Sequence, residues 1–297
     1  MEARLAALLA LSLGALPLAA QHDPPPAEKI IVPAQGTSVP MGDLDGRPLV
    51  DVRINGKGPF RFILDTGADT TVIGDDLKKE LGLPAVEGEG VRGPDNTVMG
   101  QMVKVAELRV AEALLEGVVV VEGPISGMFR MPNAPRGVLS ASAFLGYLLT
   151  LDYPGKRVLI RQGELSAPDS RSIFGYTAEQ ILPSALVRVA GAENRVHIDS
   201  GSPGGLTLPD RYRKELKLAS EPVVVGRART PHGEFQVWSA NIDGPVELGR
   251  FKLALLDVRF ADVNPIPGQV VGNIGYRILR DFQVTIDAKN RRVRFEQ

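Results

Sequence analysis

Alternation of hydrophobic and polar residues predicts short β-strands along most of the chain. Residues 50–54 and 60–64 place apolar side chains at every second position, which is the pattern of a strand with one buried face. The Asn55-Gly56-Lys57-Gly58 segment between them favours a hairpin turn. Residues 103–121, which are rich in Val and Leu, predict further strands, whereas residues 75–81 predict a short helix that ends before a glycine.

The same pattern occurs twice. The segment Arg61-Phe-Ile-Leu-Asp65-Thr-Gly corresponds to Arg195-Val-His-Ile-Asp199-Ser-Gly, at an offset of 199 − 65 = 134 residues. Further segments that begin at Pro48, Lys79 and Gly137 match at an offset of 135, as do the closing hairpins near the end of each copy. Because all these segments keep one order, and one spacing to within a single-residue insertion or deletion, the sequence predicts the duplication of a single unit.

The repeat defines the expected domains. One unit spans residues 38–163 and the other spans residues 178–297, and both have a common domain size. Residues 164–177, with Pro168-Asp169-Ser170, are polar and predict a linker. The predicted fold class is therefore all-β with short helices. Its two tandem domains are expected to be related by a pseudo-two-fold axis.

The N-terminus predicts export. Arg4 precedes an uncharged apolar run from Leu5 to Ala20, which is short for a membrane span and typical of a signal-peptide core. We therefore expect residues 1–20 to be a cleaved signal peptide, with an uncleaved anchor as the alternative. The mature chain is then expected to be periplasmic or secreted, without a stable membrane span.

The amino-acid composition limits the kinds of binding site to expect. The net charge of −1, from 34 basic and 35 acidic residues, gives no electrostatic footprint for nucleic acid. The chain has no cysteine and only three scattered histidines, so we expect neither a metal site nor a cofactor. His197 shares a strand face with Asp199, and a structural histidine is favoured over a metal ligand there.

Candidate chemistry is concentrated in two turns, Asp65-Thr66-Gly67 and Asp199-Ser200-Gly201. A single turn of this type is usually only a turn, but one per unit can bring two carboxyls together on the pseudo-two-fold axis. Two carboxyls about 3 Å apart cannot both ionise cheaply, so they share a proton. Such a pair can activate a water with one carboxylate and polarise a carbonyl with the other.

These segments resemble the retropepsin-like aspartic proteases, through Phe62-Ile-Leu-Asp65-Thr-Gly-Ala-Asp-Thr-Thr-Val-Ile73 and its later repeat. The resemblance implies tandem acid-protease β-barrels with Asp65 and Asp199 as the catalytic dyad. It further implies bracing hydroxyls and turn glycines, which are Thr66, Ser200, Gly67 and Gly201. It also implies substrate contacts from Ala68, Asp69 and Ser202, although Asp69 could instead pair with an arginine. Ser140 stands where the family usually has glycine, so we expect local strain there.

The resemblance also implies hairpin flaps over the cleft, and the candidates are residues 92–100 and 226–235. Trp238 and Phe235 could line the cleft or belong to the core, and the core is favoured. The expected function is hydrolysis of peptide bonds in a peptide or protein substrate. The alternatives are a non-catalytic exported module that binds peptides with the same fold, and, with little support, a metal-dependent hydrolase. The sequence leaves open whether the two units form one site within a monomer, as an internal pseudo-dimer, or whether chains pair.

Overall fold

The computed structural model describes residues 26–92, 98–129, 131–177, 182–230, 233–253, 257–261 and 272–297. The predicted signal peptide, residues 1–20, lies outside these ranges, as do the tips of both candidate flaps at residues 93–97 and 231–232. Within the described ranges, no helix combines the length and apolar character needed to cross a bilayer.

The protein is all-β with short helices, as the sequence predicts. The first half contains these strands: β1 Lys29–Ile31, β2 Thr37–Pro40, β3 Gly42–Leu44, β4 Arg47–Ile54, β5 Lys57–Asp65, β6 Val72–Gly74, β7 Ala85–Arg92, β8 Val98–Val110, β9 Ala113–Gly123, β10 Gly137–Ser140, β11 Leu148–Asp152 and β12 Arg157–Arg161.

The second half continues with β13 Ile173–Gly175, β14 Ser184–Val189, β15 Ala192–Ile198, β16 Leu206–Leu208, β17 Val223–Thr230, β18 Gly233–Ala240, β19 Val246–Leu248, β20 Phe251–Leu253, β21 Val258–Phe260, β22 Gly272–Ile274, β23 Gln283–Asp287 and β24 Arg292–Glu296. The helices are α1 Asp75–Leu81, α2 Tyr212–Glu215 and α3 Tyr276–Leu279, with 3₁₀ turns at Ile125–Gly127 and Ala141–Phe144. Helix α1 lies where the sequence predicts it.

Each unit is built on one nine-stranded sheet, the first of which also includes β1 from the segment before the unit, and the central strands of the two sheets follow the same order. The order is β9-β6-β10-β5-β4 in the first sheet and β21-β16-β22-β15-β14 in the second. The directions also agree, because the strand that ends at each Asp turn pairs in parallel with β10 or β22. This common order agrees with the predicted repeat, while the duplication itself stays a prediction.

A third sheet joins the two units. It has six strands in the order β13-β24-β23-β11-β12-β2, and β11 of the first unit pairs antiparallel with β23 of the second. Thr150 lies opposite Thr285, its counterpart at the offset of 135 residues. The pairing is therefore centred on equivalent residues, as a local two-fold axis requires. Part of the predicted linker also joins this sheet, since β13 pairs with β24.

The hydrophobic core extends through both units and beneath the shared sheet. Phe282 makes edge-to-face contacts with Phe251 and Phe295, at centroid distances of 5.1 and 5.6 Å. Phe174, from the predicted linker, packs in the same way on Phe295. Because such contacts add to the energy of area burial, the segment between the units is fixed to the core.

The centre of the shared sheet gives the first prediction. The hydroxyls of Thr150 and Thr285 are 2.9 Å apart and hydrogen-bond to each other, and both residues are buried. Thr150→Val should lower the free energy of unfolding by about 1–3 kcal/mol, because it leaves the Thr285 hydroxyl without its partner. Thr285→Val should do the same, as measured by urea denaturation.

The double variant Thr150→Val/Thr285→Val should lose less than the sum of the two single changes, since no buried hydroxyl is then left unpaired. Strict additivity would show that the two hydroxyls do not depend on each other.

Candidate active site

Each candidate aspartate stands where a buried strand ends. The last part of β5, from Phe62, is buried and leads into Asp65, and Ser140 of β10 lies beside Asp65 in parallel register. In the second unit, Asp199 follows β15 directly, and its N–H donates to the Ile274 carbonyl of β22. Both aspartates are buried, with 5% and 6% of their surface exposed. Apolar strands on both sides therefore fix the position of each carboxyl.

The two turns are joined by reciprocal hydrogen bonds. The Thr66 hydroxyl donates to the Ile198 carbonyl at 2.5 Å, and the Ser200 hydroxyl donates to the Leu64 carbonyl at 2.7 Å. Each hydroxyl also accepts a bond from the backbone N–H of the other residue, at 2.9 and 3.0 Å. The structure thus brings the two predicted turns together within one chain, and Thr66 and Ser200 brace them as the resemblance implies.

The turn glycines lie against the carboxyls. A Cβ on Gly67 would stand 2.8 Å from Asp199 Oδ1 and 3.2 Å from Asp65 Oδ1, and a Cβ on Gly201 would collide with the Asp65 carboxyl. The Gly67 N–H donates to Asp65 Oδ1 at 2.7 Å. Only glycine allows the carboxyls this close approach to the backbone of both turns.

Burial and mutual repulsion make the pair hard to ionise. Burial, and then the charge of Asp199, raise the pKa of Asp65 to about 7, against the opposing effect of backbone N–H groups and Arg47. Burial also raises the pKa of Asp199, with hydrogen bonds from Asn273 and the backbone acting in the other direction. The two carboxyls therefore resist ionising together, and they titrate as a pair.

Sequence reasoning missed two groups beside the dyad. Arg47 is 8% exposed, and its Nε donates to the Gly201 carbonyl at 2.9 Å, across 154 residues of chain. Tyr153 is buried, and its hydroxyl has no hydrogen-bond partner in the described part of the protein. Burial, and then the charges of Asp199 and Asp65, raise the pKa of this phenol. Neither residue belongs to a local motif that could have identified it.

A third missed residue, Asn273, contacts one carboxyl directly. Its Nδ2 donates to Asp199 Oδ2 at 2.7 Å. The sequence places Asn273 inside the repeat, in Gly272-Asn-Ile-Gly275. The equivalent residue of the first unit is Val138, which is apolar. A polar residue in its place was the feature of the sequence that could have pointed to a role for Asn273.

The predicted substrate contacts lie beside the turns. Ala68 is buried, whereas Ser202, the corresponding residue after the second glycine, is partly exposed, as is Asp69. The Asp69 carbonyl accepts a bond from the Ser142 hydroxyl at 2.9 Å. These residues border the dyad, and their contact with substrate stays a prediction.

The strain expected at Ser140 is a wrong prediction. Ser140 has an ordinary extended conformation, with φ −74° and ψ 147°. Its hydroxyl donates to the Ala68 carbonyl at 2.7 Å and accepts the Ser142 N–H. The serine is tolerated because its side chain ties down the loop that follows the first turn, whereas a Cβ at the equivalent Gly275 would meet the Ser202 carbonyl.

The strands of both flap candidates pair as hairpins, β7 with β8 and β17 with β18. Trp238 is partly buried and packs under the Arg213 guanidinium, 4.0 Å from the ring centre, while nothing is described for the Phe235 side chain. Burial lowers the pKa of His197 to about 4. No group of three or more metal-ligating side chains occurs among the residues that the structure describes.

The segment that carries the first Asp turn matches a known protein family. Residues 50–143 match the family model described as aspartyl protease. This segment carries the first Asp turn and is similar to the aspartyl proteases, so the resemblance read from the sequence is confirmed for residues 50–143. The second turn lies outside the matched segment. No curated protein matches the chain significantly.

The reciprocal bonds give a second prediction. Ser200→Ala removes a buried hydroxyl that donates one bond and accepts another, so it should lower the free energy of unfolding by about 2–3 kcal/mol. Urea denaturation at neutral pH measures the change. Ser38→Ala, at an exposed position of β2, is the matched control and should change stability by less than about 0.5 kcal/mol. Equal effects from both substitutions would show that the bonds contribute nothing.

The raised pKa of Asp65 gives a third prediction. An unfolded aspartate loses its proton near pH 3.9, whereas Asp65 keeps its proton up to about pH 7 in the folded protein. The folded state binds more protons in this window, so Asp65 lowers the free energy of unfolding as pH rises through it.

Asp65→Asn cannot ionise and removes this penalty. The free energy of unfolding of the variant minus that of the natural protein should therefore be larger at about pH 7.5 than at about pH 4.5. His197 favours the opposite trend, but it is present in both proteins and cancels from the difference. A stability difference that is independent of pH would contradict the raised pKa.

Proposed function

We propose that this protein is an aspartic endopeptidase that hydrolyses peptide bonds with water activated by Asp65 and Asp199. The observation that supports this most strongly is the pair of reciprocal hydrogen bonds between Thr66 and Ser200. These bonds hold one buried aspartate from each unit beside the glycine of the other turn. The family of residues 50–143 points to the same class of reaction.

In the proposed reaction, a water lies between the two carboxyls. The ionised carboxylate takes a proton from the water, while the protonated carboxyl donates a hydrogen bond to the scissile carbonyl. The water oxygen bonds to the carbonyl carbon while the protonated carboxyl passes its proton to the carbonyl oxygen, which gives a tetrahedral diol. The carboxyl that took the proton from water then passes it to the amide nitrogen, and a diol hydroxyl returns its proton to the other carboxylate. The C–N bond breaks, an amine and a carboxylic acid are released, and the pair again holds one proton.

The electrostatics of the two carboxyls indicate the pH range in which the protein is active. The reaction needs one ionised and one protonated carboxyl, and the pKa of Asp65 is about 7. Activity should therefore fall as pH rises above about 7, when the last proton of the pair is lost. We infer a working range from weakly acidic to neutral pH.

Replacement of the dyad tests the proposal. Asp65→Asn and Asp199→Asn should each lower kcat/KM for peptide cleavage by about 10²–10⁴-fold, because neither variant can form the half-protonated pair. The measurement is cleavage of a diverse peptide library between about pH 4 and 8, with a statine-containing peptide as inhibitor of the natural protein. Asp51→Asn, at an exposed position of β4, is the matched control and should leave cleavage unchanged.

Three results would contradict the proposal. Undiminished cleavage by a correctly folded Asp65→Asn or Asp199→Asn variant would remove the dyad from the reaction. Peptide binding without any cleavage by the natural protein would favour the non-catalytic binding module. Loss of cleavage with a chelator would favour the metal-dependent alternative.

A further inference from the structure

The two units differ in the pair of residues that lies directly behind each aspartate. In the first unit, Ile63 of β5 lies beside Val138 of β10, and both are buried in a small apolar cluster. In the second unit, His197 of β15 lies beside Asn273 of β22 at the same register. An apolar pair behind one aspartate is thus matched by a polar pair behind the other.

This difference reaches the reacting groups through Asn273. The residue is 6% exposed, and its Nδ2 lies 2.7 Å from Asp199 Oδ2. Its other side-chain atom, Oδ1, has no hydrogen-bond partner in the part of the chain that the structure describes. The amide is therefore directed at Asp199. Val138, at the equivalent position of the first unit, has no donor to offer Asp65.

A hydrogen bond to the ionised form of a carboxyl stabilises that form. Asp199 receives the Asn273 amide in addition to backbone N–H groups, whereas the donors on Asp65 are the N–H groups of Gly67 and Gly201. When the buried pair loses its first proton, the negative charge is therefore favoured on Asp199.

We propose that Asn273 is a positioning residue that keeps the negative charge on Asp199 and the shared proton on Asp65. Asp199 then takes the proton from the attacking water, and Asp65 donates a hydrogen bond to the scissile carbonyl. The kinetic consequence rests on the proposed protease function, whereas the location of the proton does not.

The other groups near the pair do not remove this asymmetry. Arg47, at the start of β4 and beside Asp45, acts on both carboxyls. Tyr153, after β11, lies near both and stays protonated because burial raises its pKa, with Tyr276 and Asp43 as further neighbours. His197 is neutral above about pH 4, since burial lowers its pKa.

The pH profile distinguishes the two possible locations of the proton. If the first ionisation occurs at Asp199, Asn273 stabilises both the singly and the doubly charged pair. Its loss then raises the first pKa and leaves the second in place. If the proton stays on Asp199 instead, Asn273 stabilises only the doubly charged pair, and its loss raises the second pKa alone.

The test is Asn273→Val, which introduces the residue found at position 138. The acidic limb of the kcat/KM profile should move to higher pH by about one to two units, the shift expected for the loss of one hydrogen bond to a charged group. The alkaline limb should stay in place. Movement of the alkaline limb alone, or of neither limb, would overturn the proposal.

Two further variants control for folding. His197→Ile/Asn273→Val reproduces the apolar pair of the first unit and should show the same shift of the acidic limb. His197→Ile alone keeps the amide and should leave both limbs unchanged. A shift caused by His197→Ile alone would assign the effect to the histidine and contradict the role of Asn273.

A titration that needs no turnover separates this inference from the proposed function. In protein with ¹³C-labelled aspartate carboxyls, NMR should show Asp199 ionising first, with assignments from Asp65→Asn and Asp199→Asn. Asn273→Val should raise this first pKa. Ionisation of Asp65 first would overturn the inference even in an active protease. A protein that cleaves no peptide but ionises Asp199 first would refute the function and support the inference.

Discussion

The reciprocal hydrogen bonds between Thr66 and Ser200 fix the relative position of the two units at the site. Each hydroxyl donates to a carbonyl of the opposite unit and accepts an N–H from the opposite turn. Since a buried polar group without a partner is costly, the units cannot separate here without leaving several such groups unpaired. The close packing of Asp65 and Asp199 over the turn glycines depends on this constraint.

The shared sheet and the turns reinforce each other. Strands β11 and β23 bring equivalent residues opposite each other. In the second unit, β22 and α3 come directly before β23 in the chain. The site therefore lies on rigid strands from both units. This rigidity keeps the two carboxyls buried and close together, where the charge of one makes ionisation of the other unfavourable.

Much of this arrangement could be predicted from the sequence because it is carried by local patterns. The Asp-Thr-Gly turn, its repeat and the alternating strands predicted the fold class, helix α1 and the two aspartates that meet. The linker pattern did not reveal β13, since three residues carry little periodicity. Ser140 was interpreted from the family's glycine rather than from the bonds that its hydroxyl makes.

The residues that sequence reasoning missed act across long separations. Arg47 reaches the Gly201 carbonyl, and Tyr153 approaches the dyad from a turn in the shared sheet. No spacing rule connects these positions to an Asp turn. Asn273 lies within one of the repeated segments, but its role depends on the parallel pairing of β15 and β22, which places it behind Asp199.

The asymmetry at Asn273 has a consequence for how such a site can evolve. An enzyme assembled from two identical chains must surround both aspartates with the same side chains, so any donor added beside one is added beside the other. Here one polypeptide supplies both halves, and a substitution changes one neighbour at a time. The single chain can therefore give its two acids separate tasks, which a perfectly symmetric assembly of identical subunits cannot encode in its sequence.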